Sequence, residues 1–172
     1  MSELHIPSDG EPSPASPVAP PPGRGRRRLA SGIGAAMLGL AGASVAGGAI
    51  DVSVGAADWA ADDAVAQENM FNAAAPAGTR YVMVPVTVSN HDVDAIAPRT
   101  AITVLYRAED GRTFAPERQV VPRDLDEIAP LAPGETATGN VLFAIPEDAR
   151  GPGAWVVELD SDTGEELSFT AL

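Results

Sequence analysis

The sequence predicts an exported all-β domain, an antiparallel β-sandwich preceded by a disordered tail and one N-terminal apolar helix. Three observations lead there. Apolar residues after position 50 alternate with a period of two, which places them on one face of a strand. Pro and Gly punctuate those runs at turn spacing. A cluster of four arginines stands directly before an uncharged stretch, residues 29–50.

Residues 1–28 form the tail. MSELHIPSDGEPSPASPVAPPPG is dominated by Pro, Ser, Gly and Glu and has no helical or strand periodicity. Such a composition buries too little apolar surface to offset chain entropy, so it predicts disorder with polyproline character at Pro20 to Pro22. Pro17 and Pro20 also have PxxP spacing. The arginines, Arg24, Arg26, Arg27 and Arg28, close the segment.

Residues 29–50 are long enough to cross the hydrocarbon core as a helix, for which about 20 uncharged residues suffice. Basic residues before the stretch and acidic ones after it orient the N-terminus to the cytoplasm. The insertion signal is weak, with six Leu, Ile or Val among these residues against six Gly and two Ser. Two readings therefore stand side by side. One is a retained transmembrane anchor. The other is a signal peptide cleaved near Ser44-Val45-Ala46, with Arg26-Arg27-Arg28-Leu29-Ala30 similar to a twin-arginine export signal. Both put residues 51–172 outside the cytoplasm, at the cell membrane or secreted.

Residues 51–172 form the domain. Val82, Val84, Val86 and Val88 share one face of the strand Tyr81–Val88, and Pro85, which cannot donate to a ladder, predicts an edge or a bulge there. Thr100–Arg107 alternates Ile102, Val104 and Tyr106 inward, turns at Glu109-Asp110-Gly111 and pairs back through Arg112–Ala115. Between Phe114 and Pro133, four prolines preclude a long helix and leave room for a turn or two over Arg123–Ala129. Pro133-Gly134 predicts a type II turn. Beyond it, Ala137, Gly139, Val141, Phe143 and Ile145 share a face until Pro146. Trp155, Val157 and Leu159 supply the next inward face, and Glu166–Thr170 the last strand. The Val82–Val88 face is expected to meet Val141, Phe143, Ile145 and Trp155 across the sandwich.

Composition excludes several chemistries. The chain has no Cys, so disulfides, thiolate nucleophiles and Cys-ligated metals are absent, and His5 and His91 are its only histidines. The net charge is −13 and all 11 basic residues are Arg. Residues 51–172 hold 21 acidic residues against 7 arginines, leaving −14, which disfavours nucleic acid as a partner.

Acidic clusters are the remaining candidates. Asp160, Asp162, Gly164 and Glu166 are spaced like the start of an EF-hand loop, but Glu165 occupies the sixth position, where Gly is needed, which leaves a solvated hairpin tip. Asn90, Asp92 and Asp94 with His91 offer weak hard-cation ligands or ordinary turn chemistry. Asp58, Asp62, Asp63 and Glu68 read as a solvated strand face. His91 is the one plausible general base, and no Gly-x-Ser-x-Gly elbow accompanies it.

Asn69, Phe71, Asn72, Pro76, Gly78 and Tyr81, the Val-x-Val run, Asp110-Gly111-x-x-Phe114 and Leu131-x-Pro133-Gly134-Glu135-Thr136-x-x-Gly139-x-Val141-x-Phe143-x-Ile145-Pro146 occur in that order. In this the chain resembles the telokin-like, immunoglobulin-like extracytoplasmic domains of unknown function of actinobacterial membrane proteins and lipoproteins, similar in fold to a secreted mycobacterial immunoprotective antigen. The resemblance implies an immunoglobulin-like β-sandwich outside the membrane and no catalytic residues. The lipid-accepting Cys of the lipoproteins is missing. The expectation is therefore a non-catalytic module, without cofactor or metal, that binds a protein or cell-envelope partner through a sheet edge or end loops. The alternative is a divalent-cation-dependent or hydrolytic domain using the acidic loops.

Overall fold

The computed structural model describes residues 43–45, 48–160 and 165–171. Among these residues eight strands form two antiparallel sheets that pack face to face. In chain order they are β1 (Ala43–Val45), β2 (Ile50–Val54), β3 (Thr79–Asn90), β4 (Ile102–Ala108), β5 (Thr113–Phe114), β6 (Thr136–Pro146), β7 (Gly153–Leu159) and β8 (Glu166–Ala171). One sheet has the order β1-β2-β3-β6 and the other β5-β4-β7-β8. Two short helices, α1 (Asp62–Glu68) and α2 (Pro98–Ala101), precede β3 and β4 respectively.

The expected strand faces are in place. Val82, Val84, Val86 and Val88 are fully buried, as are Val157 and Tyr106. Burying each such valine stabilises by about 1.5–3 kcal/mol. The expected pairing across the sandwich is different. Val84 is the in-sheet neighbour of Val141 and Val82 that of Phe143, because β3 and β6 pair from Thr79↔Pro146 to Ser89↔Thr136. Of the predicted partners only Trp155 comes from the opposite sheet, together with Ile102, Val104, Tyr106, Val157, Leu167 and Phe169. Alternation tells which face of a strand is apolar; it carries no information on which sheet the strand joins.

Pro85 lies in an interior strand. Val86 pairs with Val54, and the next bridge is Asp58↔Met83, so residues 55–57 stand opposite Val84 and Pro85. The missing N–H falls where β2 bulges away, with Gly55 N donating to Pro85 O at 2.9 Å. Of the two alternatives, the bulge is the one realised.

The N-terminal boundary also differs. Ala43–Val45 is a strand paired with Val54, Ser53 and Val52, so a helix over 29–50 cannot continue through these residues. The remainder of that apolar stretch before Ala43, with the tail and the arginine cluster, lies outside the described residues. Among the described residues no helix is long and apolar enough to cross a membrane.

The segment read as a solvated strand face contains α1. Ala61 and Val65, one turn apart, pack with Tyr81, Leu142 and Val121 on the outer face of the first sheet. That sheet is consequently buried on both faces around β3 and β6.

Candidate interaction face

The acidic loops are occupied by turn chemistry. Asn90, fully buried at the end of β3, donates through Nδ2 to Asp94 O at 2.8 Å and Leu131 O at 2.9 Å, and its Oδ1 accepts from Asp92 N at 2.8 Å. Asp92 Oδ1 accepts from Val93 N at 2.6 Å. These groups stabilise one loop rather than converge on a cation site. Among the described residues no three His, Asp or Glu side chains form a group that could hold a metal. His91 Nε2 lies 2.9 Å from Asp51 Oδ2 near the surface, while the neighbouring hydroxyl Ser89 Oγ pairs with Thr136 Oγ1 at 2.8 Å. Asp58 Oδ1 accepts from Ala60 N, and Asp62 Oδ1 from Tyr81 N. Asp63 and Glu68 are exposed on α1. Asp162 and Gly164 lie outside the described residues, and Glu166 pairs with Arg107 at 3.2 Å.

The long proline-rich connection builds one wall of a cleft. After β5 the chain leaves the second sheet and runs along the β6 edge of the first. Glu117 N donates to Leu142 O at 2.8 Å, and Asn140 N to Arg123 O at 2.7 Å. Asn140, itself buried, also donates through Nδ2 to Pro122 O. Gly139 permits this approach, since a Cβ there would stand 2.6 Å from Leu125 Cα. Arg123 turns the chain at φ 51°, the only positive φ outside glycine among the described residues. A single turn of 3-10 helix follows at Leu125–Glu127, capped by Asp124, whose side chain accepts from Asp126 N at 2.9 Å.

Between this crossing segment and β4 lies a cleft of about 600 Å³. Val104, Glu117, Arg118, Asp124, Asp126 and Leu142 are among its walls. Burial pushes the Asp124 carboxyl above its ordinary range; the hydrogen bond from Asp126 N opposes this, and the charges of Asp126 and Glu127 add to it.

The outer wall of the cleft is stitched to the turn after α1. Asn72 Nδ2 donates to Val65 O and Val120 O, both at 2.7 Å, and Asn72 Oδ1 accepts from Val120 N at 3.1 Å. Asn69 Oδ1 accepts from Phe71 N and Asn69 O from Asn72 N, each at 2.9 Å. This bracing holds Met70 and Phe71 at 84% and 86% exposure, next to the partly exposed Val120. In the sequence, Asn69, Phe71 and Asn72 stand out only by their order. The paired asparagines flanking two apolar residues were the signal that a built turn, and not a core strand, stands there.

A family model described as "Domain of unknown function (DUF4352)" matches residues 42–164. No curated protein matches the sequence. Among solved structures, the chain is similar to an uncharacterized β-sandwich protein from Clostridium difficile 630, with TM-score 0.52 and 13% identity over 76% of this chain and 91% of that one. It is also similar to a conserved hypothetical protein from Bacillus anthracis, with TM-score 0.47 and 12% identity over 73% and 91% of the two chains. A secreted protein from Mycobacterium tuberculosis, MPT63, gives TM-score 0.45 and 17% identity over 74% and 88%.

Proposed function

The chain belongs to the DUF4352 family, and from that premise we propose that it is a non-catalytic interaction domain working outside the cytoplasm, held at the membrane through the apolar stretch ahead of the domain or secreted. Its partner is a protein of the cell envelope. The observation that carries this reading is the braced turn at Asn69–Asn72. Two large apolar side chains held in water by a fixed backbone gain nothing for the fold, whereas a rigid apolar anchor lowers the entropy cost of binding. The arginine cluster before the apolar stretch and the resemblance to telokin-like extracytoplasmic domains support the exported placement.

A photo-crosslinking benzophenone side chain at position 71, activated in intact cells, tests the interaction. The expected result is one discrete adduct, absent when the same group replaces the exposed Glu109 of the β4–β5 hairpin and lost with Met70→Ser. Equal labelling from both positions, or none from position 71, overturns the reading. Placement is tested with protease added after the outer envelope is made permeable. A tag after Leu172 should be digested and one before Met1 spared, and protection of the C-terminal tag removes the export argument.

A further inference from the structure

We propose that the cleft beside β4 is a strand-addition slot for an extended, basic segment of a partner protein. The proposal rests on the interaction reading above and names a site and a partner chemistry for it.

The backbone of β4 presents alternate residues to its two neighbours. Asp160 N donates to Ala101 O at 2.8 Å, so odd-numbered residues face β7, and Ala108 N donates to Arg112 O at 2.9 Å, so even-numbered ones face β5. β5 meets β4 only at Tyr106↔Phe114 and Arg107↔Thr113. In that register the next residue to face Val104 is Pro116, which has no N–H to donate, and the chain departs instead toward β6 through Glu117 N. The Ile102 N–H is taken by Pro98 O, while by this alternation the N–H and C=O of Val104 point to the side of β4 that the two-residue β5 does not reach. They sit on the wall of the cleft. A strand edge that its neighbour leaves uncovered accepts an added chain, and an extended segment inserted alongside would pair with both groups.

The cleft is large enough for this mode. At about 600 Å³ it falls within the range of ligand sites, roughly 300–1,000 Å³, with Val104 the residue of β4 whose backbone faces it. Its charge selects the occupant. Glu117, Asp124, Asp126 and Glu127 outnumber the two arginines of the lining, Arg99 and Arg118. The Asp124 carboxyl, disfavoured as an anion by burial and by its acidic neighbours, is relieved by an arriving guanidinium or ammonium group. A second copy of this chain, with its strongly acidic domain, is disfavoured by the same charge.

The test uses the full chain, isotope-labelled, with two synthetic peptides as probes: an alternating Val-Arg-Val-Arg-Val and its counterpart Val-Glu-Val-Glu-Val. The arginine peptide should give saturable amide shifts at Val104, Glu117 and Asp124 and slow hydrogen exchange of the Val104 amide, and the glutamate peptide should do neither. Asp124→Asn, which keeps the acceptor for Asp126 N, and Glu127→Gln should each weaken binding by up to about fivefold while leaving the tryptophan fluorescence unchanged. Equal response to both peptides overturns the basic partner. Absence of shifts at the cleft, or shifts confined to Met70 and Phe71, overturns the slot while the crosslinking result at position 71 continues to stand or fall separately. If the Val104 amide is protected without peptide and becomes exchangeable when Arg24, Arg26, Arg27 and Arg28 are replaced by Ser, the occupant is the chain's own N-terminal segment and the partner is overturned.

Discussion

Replacing Asn90 by Ala separates a structural hub from a cation ligand. The native side chain donates to Asp94 O and Leu131 O and accepts from Asp92 N, all within 2.9 Å, at a fully buried position. Three hydrogen bonds at about 1 kcal/mol net each put the loss near 3 kcal/mol. The cost is not larger because Leu131 O keeps its bond from Ile96 N and Asp94 lies at the surface, where water replaces the lost donor. With a urea dependence of about 1.5–2 kcal/mol per molar, the unfolding midpoint should fall by roughly 1.5–2 M. Trp155 in the core and the half-buried Trp59 report the transition by fluorescence. The melts are run in EDTA and in calcium. A hub loses the same stability in both, whereas a ligand leaves the EDTA midpoint in place and abolishes a calcium-dependent gain. An EDTA midpoint within about 0.3 M of the parent, well below the shift expected from three lost bonds, would refute the reasoning. Asn90→Asp should be worse than Ala at neutral pH, because a carboxylate then faces two carbonyl oxygens, and acidification that protonates it should narrow the gap.

Three further outcomes follow from the same geometry. Phe143→Ala and Trp155→Ala remove rings whose centroids stand 5.1 Å apart in the core and should each cost about 3–5 kcal/mol, seen as lost solubility or a collapsed urea midpoint, while Glu109→Ala at the exposed hairpin leaves it unchanged. Gly139→Ala drives a Cβ to 2.6 Å from Leu125 Cα and should cost about 1–3 kcal/mol, with faster limited proteolysis between Pro122 and Ile128 because that segment must lift from β6. Burial raises the phenol pKa of Tyr106, with Asp110 adding, and raises that of Tyr81, with Glu117 and Asp62 adding. Since the unfolded phenols ionise near pH 10, stability is fully present below that pH and falls as pH rises above it toward the raised folded values. Tyr106→Phe should flatten part of this alkaline decline while lowering neutral stability through loss of the hydroxyl bonds to Ala149 O and Gly151 O, and urea midpoints on both sides of pH 10 read both effects.

Much of the strand layout was legible because a strand's information is local. Period-two alternation marks the inward face of β3, β4, β6 and β7, and the turn chemistry follows from single residues. Gly111 takes φ 88° in the hairpin, and Gly134 takes φ 81° after Pro133, with Glu135 N bonded to Ala132 O at 3.0 Å as a type II turn requires. The helix α1 was hidden because it has only seven residues, too few to establish a 3.6-residue period, and its acidic first turn has the composition of a solvated face.

By itself, the sequence determined the strand faces, the turns, the exclusion of cysteine chemistry and the strongly acidic surface, since each depends on a residue and its near neighbours. Only the tertiary structure decided that Val141, Phe143 and Ile145 share a sheet with Val82–Val88, because pairing is set by which edges the crossing connections bring together. It also decided that Asn90 and Asn140 are buried hubs, since their partners arrive from distant segments. The cleft has the same origin. Pro116 can be read from the sequence, but its missing N–H matters only because the register Tyr106↔Phe114, if continued, would bring it opposite Val104. Hydrogen bonds between distant residues depend on register and chain crossing, which composition and periodicity do not encode.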